Sequence, residues 1–361
     1  MQFTSLKWMC VVLTSSLVGC SQITPLPEHQ VALSQTYPLQ TQGNYQVLSW
    51  DNYVNDQQLI NLVDLALVSN QDLKIASLRI HEAQAAYGIQ RAELFPNIGG
   101  NAGMERNHVP ADLSYVGREM TTSQYSVGLG MNQWELDLWG RIRSLNEAAL
   151  QQFFAVESNV QAVRNSLIQQ TVLSYLTLSE LDKRIYFAQR SVQNYEKSVR
   201  LFKRRYEVGA SSKVEYMQAK TMLSNGQALV TQLEKSRALT ANYLVQLVGQ
   251  PTSLHQTDLD QVTFKTGVLH TGLPSDLLLN RADIRASEAM LKSKHANINA
   301  ARAAFFPRIT LTGSLGTASA DLDGLFKSGS SVWSFAPSIS VPIFTAGRLK
   351  NNLILAEVRK D

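Results

Sequence analysis

Asp72–Ile98 reads DLKIASLRIHEAQAAYGIQRAELFPNI, and Asp283–Ile309 reads DIRASEAMLKSKHANINAARAAFFPRI. The two stretches lie 211 positions apart and align without a gap. Seven of their 27 positions are identical: Asp72/Asp283, Ala85/Ala296, Arg91/Arg302, Ala92/Ala303, Phe95/Phe306, Pro96/Pro307 and Ile98/Ile309. Each copy is a helical run that stops at Phe-Pro, passes into strand-like alternation, and reaches Gly-Arg (Gly140-Arg141, Gly347-Arg348) at the head of another helix. Seven identities alone are thin evidence. The repeated order of elements is stronger, because internal repeats decide architecture before any single motif does. Helix, two strands and helix, written twice, predicts a chain that passes from helices into a sheet and back.

Working outward, the period after Pro96 changes to two. Tyr125, Val127, Leu129 and Met131 alternate with Ser126, Gly128, Gly130 and Asn132. In the second copy Ile309, Leu311, Gly313 and Leu315 alternate with Thr310, Thr312 and Ser314; later Trp333, Phe335, Pro337, Ile339, Val341 and Ile343 alternate with Ser334, Ala336, Ser338 and Ser340. One face is apolar or aromatic and the other small and polar. Strands of about ten residues with this dyad pattern suit a membrane barrel, lipid outside and water inside. A soluble sandwich with one solvated face shares the alternation. Aromatics read as strand ends (Tyr125, Trp134, Trp139, Trp333, Phe344) resemble an interfacial girdle and favour the barrel.

Arg141 to Val208 contains neither proline nor glycine and as one helix would span roughly 100 Å. Its apolar stripe runs Val156, Val160, Val163, Leu167, Thr171, Ser174, Leu178, Leu181, Ile185, Ala188, Val192, Tyr195, Val199, Phe202, Tyr206. Steps of four and three alternate, with one doubled four at Thr171, the stutter of a coiled coil. Gly209 breaks the run, and Ser212-Lys213-Val214-Glu215 is a capping box for a return helix that Gly249 and Pro251 end. Nearer the N-terminus, Asp56 is read as the cap of a helix through Val68, and Asn70 of one through Leu94.

The bulk numbers narrow the classes. At 361 residues and 44% hydrophobic there is ample chain for a buried core. Charge is 17%, and outside the N-terminus no apolar run nears the 18 residues of a spanning helix. The net charge of +4 is scattered, which argues against nucleic acid. Lys7 followed by a mostly apolar Trp8–Val18 reads as a secretory leader. With cysteine only at 10 and 20, no disulfide framework exists. The six histidines show no ligand spacing, and no nucleophile–base pair or phosphate loop presents itself, so neither an enzyme nor a metal or cofactor site is expected.

Several motifs together resemble the TolC-like outer-membrane efflux proteins. They are Glu135-Leu136-Asp137-Leu138-Trp139-Gly140-Arg141, Arg205-Tyr206-Glu207-Val208-Gly209, Gly272 to Leu278 with Arg281 to Ile284, Phe306-Pro307-Arg308-Ile309, and Pro342 to Arg348. Leu17-Val18-Gly19-Cys20 resembles the lipobox of bacterial lipoproteins, and within the family the chain looks like the NodT/OprM-like branch, the lipoprotein channels of resistance–nodulation–division pumps. One departure is Ala282, where the family usually has proline. The resemblance implies an α+β membrane protein: a long antiparallel helical hairpin, plus four strands given to a 12-stranded barrel shared by a homotrimer. It implies lipid on Cys20, with Ser21 as an outer-membrane address, and a tip at Val208, Gly209 and Ala210 that meets a periplasmic adaptor, itself joined to an inner-membrane pump. The exported cargo would be drugs or other toxic compounds.

The organisation that follows is a leader (1–19), a lipidated arm (20–55), a periplasmic helical segment (56–95), a barrel hairpin (96–139) and a helical hairpin (140–250). A linker (251–274), a second helix (275–306), a second barrel hairpin (307–346) and the start of another helical hairpin (347–361) complete it. After Gly140 the first copy runs 110 residues to Gln250, whereas 14 follow Gly347, so a truncated second hairpin and an unpaired last helix are expected, and with them the loss of the gate region. A periplasmic coiled-coil adaptor, a structural lipoprotein and a non-functional fragment of the channel are the alternatives.

Overall fold

The computed structural model describes residues 24–26, 50–254 and 275–361. The leader, Cys20, most of the arm, and residues 255–274 lie outside them. The chain divides into two units, one of residues 31–80 and 157–285, the other of residues 1–30, 81–156 and 286–361.

The first unit is helical. Helix α1 (Gln57–Ser69) starts where the Asp56 carboxylate accepts the Gln58 and Leu59 amides at 2.8 and 3.3 Å. Asn70 separates it from α2 (Gln71–Ala92): its side-chain oxygen accepts the Leu73 amide, and its amide donates to the Leu247 carbonyl, both at 2.8 Å. The two long helices are α3 (Arg141–Glu207) and α4 (Lys213–Val248). Their partners run in opposite order, Gln170 with Tyr243, Asp182 with Arg237, Gln189 with Glu234 and Tyr206 with Tyr216, so the pair is antiparallel. Leu59, Leu62, Val63 and Ala66 of α1 meet Leu73 and Ala76 of α2, Leu167 and Leu178 of α3, and Leu244 and Val248 of α4 in one core. Farther along, Leu181, Ile185 and Ala188 close on Leu233.

The stripe read from sequence is buried or half-buried from Val156 to Phe202, but Tyr206 is exposed and stacks on Tyr216 instead. Tyr175 and Asp182, outside the stripe, are buried as well. Tyr175 meets a second neighbour of α3, its hydroxyl donating to Asp56 at 2.6 Å, while Asp182 takes the Arg237 guanidinium of α4.

The second unit carries one sheet of four antiparallel strands in the order β1 (Ile98–Val109), β2 (Met120–Glu135), β3 (Arg308–Ser319), β4 (Ser331–Ser340). The central pairing, β2 with β3, joins the two sequence repeats edge to edge. Helix α5 (Ala282–Ala303) leads into β3, and α6 (Arg348–Lys360) follows β4. Helix α6 buries no residue, yet it is not unpartnered, since Glu357 pairs with Arg302 of α5 at 3.6 Å.

Register assigns the faces. Ile98, Gly100, Ala102 and Met104 oppose Met131, Leu129, Val127 and Tyr125; Leu129 opposes Leu315, which opposes Trp333. A bulge between Met131 and Trp134, with Gln133 at φ 47°, shifts parity by one and brings Trp134 onto this same face, opposite Leu311. The other face pairs Gly99 with Gly130, Asn101 with Gly128, Ser126 with Ala318, and Ser314 with Ser334, whose hydroxyls lie 2.7 Å apart. Gly128 and Gly316 oppose one another at the repeat junction, where their backbones come too close for a Cβ on either. Close approach, beyond the small size sought on an inner face, thus explains that glycine.

Candidate functional site

The sheet is the first functional surface. Its apolar face is bare: Leu129 is 59% exposed, Leu315 63%, Ile339 67% and Trp333 72%. From Ile98 to Met104, or Trp333 to Ile339, it stands roughly 20 Å tall, close to the apolar band of an outer-membrane barrel. The opposite face is glycine, serine, threonine, alanine and asparagine through the same span. Among the described residues no strand pairs with the outer edge of β1 or of β4. No described helix is long and apolar enough to cross a membrane.

The motif Glu135 to Arg141 locks the sheet to the helices. The Glu135 carboxylate takes Arg141 through two bonds, at 2.8 and 2.7 Å, and also the Arg308 guanidinium from the second repeat. Asp137 accepts the Ile142 and Arg143 amides at 3.0 and 2.8 Å, capping α3. Trp139 lies off the strand: it stacks on Phe306 at 5.1 Å and donates its indole N–H to the Pro307 carbonyl at 2.7 Å. Its aromaticity serves this seam. Tyr125 sits well inside β2, and Phe344 lies past β4, so only part of the expected girdle falls at strand ends.

The hairpin tip is the second surface. Gly209 adopts φ 77°; its amide donates to the Tyr206 carbonyl at 3.0 Å, and the Ala210 amide to Arg205 at 2.8 Å, a Schellman end for α3. Ser212 and Glu215 form the capping box that starts α4. The Ser211 hydroxyl, then the Ser212 amide, hold the Glu215 carboxyl below the usual carboxylate range. Val208 is 73% exposed, and Val214 and Met217, at the start of α4, are exposed as well. The tip residues Val208, Gly209 and Ala210 are therefore brought together at an outward-facing turn, whereas Cys20 lies outside the described residues.

Sequence reading passed over one cluster. Thr24, four residues after Cys20, is held by three side chains of α5. Nothing in a single threonine within a Pro- and Gln-rich stretch marks it; only the spacing of His295, Asn299 and Arg302 on one helical face could have drawn notice.

Residues 62–250 and 273–361 match the family described as outer membrane efflux protein. The chain is 39% identical over 372 residues to the solvent efflux pump outer membrane protein SrpC of Pseudomonas putida, all of this chain aligning with 78% of that one. Among solved structures it resembles a membrane protein from Pseudomonas aeruginosa (TM-score 0.85, 36% identity, 95% of this chain, 78% of the other). It also resembles the open state of the Neisseria gonorrhoeae MtrE outer membrane channel (TM-score 0.81, 36% identity, 94% and 76%).

Proposed function

Because the chain belongs to the outer membrane efflux protein family, we propose that it is the outer-membrane channel component of a tripartite efflux system, a passive conduit from periplasm to exterior. The observation that carries this reading is the four-stranded sheet with a bare apolar face, a small polar face and two open edges. Four strands cannot close a barrel, for which about eight is the smallest number. An open edge in a membrane leaves backbone groups unsatisfied at several kcal/mol each, so other copies must cover it. Three copies give twelve strands, with β4 of one copy against β1 of the next. The inner wall is then hydroxyls, amides and bare backbone, a wet surface with little grip on what passes. An inner-membrane pump supplies energy and specificity, and a periplasmic adaptor meets the tip at Val208, Gly209 and Ala210. Similarity to a solvent efflux protein points to small apolar toxic compounds as cargo. Cys20 carries the lipid anchor; Cys20→Ser blocks palmitate incorporation on this reading.

The repeat also sets the register between copies. Trp134 opposes Leu311 within the sheet; one repeat further on, counted from Gly347 and Ile98, the equivalents are Val341 and Gly100. Val341→Cys together with Gly100→Cys should yield, on oxidation in membranes, a ladder ending at three cross-linked copies. Monomers that leave the membrane without detergent would overturn the channel reading.

A further inference from the structure

Residue 24 is held by four hydrogen bonds from three side chains. Its carbonyl accepts Nε2–H of His295 at 2.8 Å and Nδ2–H of Asn299 at 3.1 Å; its hydroxyl donates to Oδ1 of Asn299 at 2.9 Å and accepts from Nη1 of Arg302 at 3.1 Å. His295, Asn299 and Arg302 fall at i, i+4 and i+7 of α5, one face of the helix. Asn299 is 4% exposed and reads backbone and side chain of Thr24 together. Arg302 is braced from behind by Glu357 of α6. Pro25 lines the same pocket as Ile298, and Leu26, next in the chain, is half-buried. A coil segment with no secondary structure of its own does not need three side chains converging on one residue unless its position matters.

We propose that this face of α5 is a receptor for the segment at Thr24, a latch that fixes where the lipidated end of the chain enters the membrane. The inference rests on the reading that Cys20 is acylated. Four residues of chain reach at most about 14 Å, so the acyl group is held within that radius of Thr24. From Asn299 the helix has about one turn left before Ala303, and β3 begins at Arg308. The lipid is therefore tethered at the rim of the barrel, where a bilayer surface would lie. An unlatched arm of some thirty residues would let the anchor wander over a far wider area while the barrel assembles.

The test uses the full chain in detergent and a maleimide probe. Leu26→Cys places a thiol beside the latch; Cys10 leaves with the leader, and an acylated Cys20 has no free thiol. Labelling of Leu26→Cys should be slow in the otherwise native chain. It should rise about tenfold or more when Asn299→Ala and Arg302→Ala remove three of the four hydrogen bonds. Because Asn299 is buried, Thr24→Val serves as the milder variant: it removes both hydroxyl bonds, leaves α5 intact, and should raise labelling about fivefold. Equal rates in native, Thr24→Val and Asn299→Ala/Arg302→Ala backgrounds would overturn the latch. The parent chain without Leu26→Cys separates the two readings: maleimide uptake there exposes a free Cys20 and defeats acylation, whatever the latch does.

Discussion

An alanine at Gly316 would put a methyl group into the narrowest point of the sheet. Its Cβ would come within 2.6 Å of the Gly128 Cα and closer still to the Val127 carbonyl oxygen. Both are backbone atoms paired in the β2–β3 ladder, so neither can rotate aside. Gly316 has no left-handed φ, so the cost is steric. Overpacking of this kind costs about 1–3 kcal/mol, and rigid neighbours place it at the upper end. Against that, replacing glycine inside a strand recovers about 0.5–1 kcal/mol of chain entropy. The net is about 2–2.5 kcal/mol against folding, a shift of roughly thirty- to seventyfold. Gly103→Ala is the matched control: it lies on the same face with nothing within 4 Å of a built Cβ, and its repeat equivalent is Ser314, so a side chain fits there. The assay is the temperature at which the folded, heat-modifiable band is lost in detergent. Gly316→Ala should lower that midpoint, whereas Gly103→Ala should hold it or raise it slightly through the same gain in chain entropy. Equal midpoints would refute the close approach of β2 and β3.

Three further outcomes follow from other sites. Burial pushes the Tyr175 hydroxyl above its ordinary value near 10, and the bond to Asp56 pushes it further the same way. The folded state thus favours the protonated phenol: its contribution is whole below pH 10 and fades as pH rises beyond that. Tyr175→Phe should be less stable by about 1 kcal/mol at pH 8 and lose less than the native chain between pH 9 and 12, as read by helical melting; parallel pH profiles would refute this. Glu135→Gln strips the shared counter-charge from Arg141 and Arg308 and should destabilise by about 1–2 kcal/mol, with a double-mutant cycle against Arg308→Gln giving a coupling of about 0.5–2 kcal/mol; strict additivity would dissolve the triad. Gly209→Glu costs roughly 1 kcal/mol at a left-handed turn and should abolish cross-linking to an adaptor while leaving oligomers intact.

Local signals survived into the structure where the chain decides alone. Asp56, Asn70 and the Ser212–Glu215 box cap helices through bonds that two to four residues specify. Alternation in β2, β3 and β4 sorted the two faces because pleating fixes parity. It failed at Asn132-Gln133, where a bulge inserts one residue and moves Trp134 to the other face, since nothing in the alternation records a left-handed glutamine. The burial of Tyr175 and Asp182 was likewise invisible: each answers to a polar partner far along the chain, Asp56 or Arg237, which the apolar stripe of a single helix does not record. The same holds for Trp139, whose role depends on Phe306 from the other repeat.

That seam, read through the duplication, points at the contact between copies. Phe306 precedes β3 and is covered by Trp139, which follows β2 in the adjacent repeat. Its counterpart before β1 is Phe95, 64% exposed. The counterparts of Leu136 and Asp137 after β4 are Ile343 and Phe344, 95% and 88% exposed, and Trp139 itself is replaced by Ala346. If β4 of one copy lies against β1 of the next, as proposed, the repeat puts these bare groups at the counterpart of the Trp139–Phe306 seam, with Phe344 supplying the ring that Ala346 lacks. Buried aromatic anchors at an interface cost about 2 kcal/mol or more when truncated, roughly thirtyfold in association. Phe95→Ala and Phe344→Ala should therefore weaken the oligomer to that extent with unchanged helicity. Phe326→Ala, 77% exposed on the β3–β4 connection, should have no effect. Dissociation that is the same in Phe95→Ala as in Phe326→Ala would mean that the second seam is not built on the pattern of the first, and the closure of the ring would need another explanation.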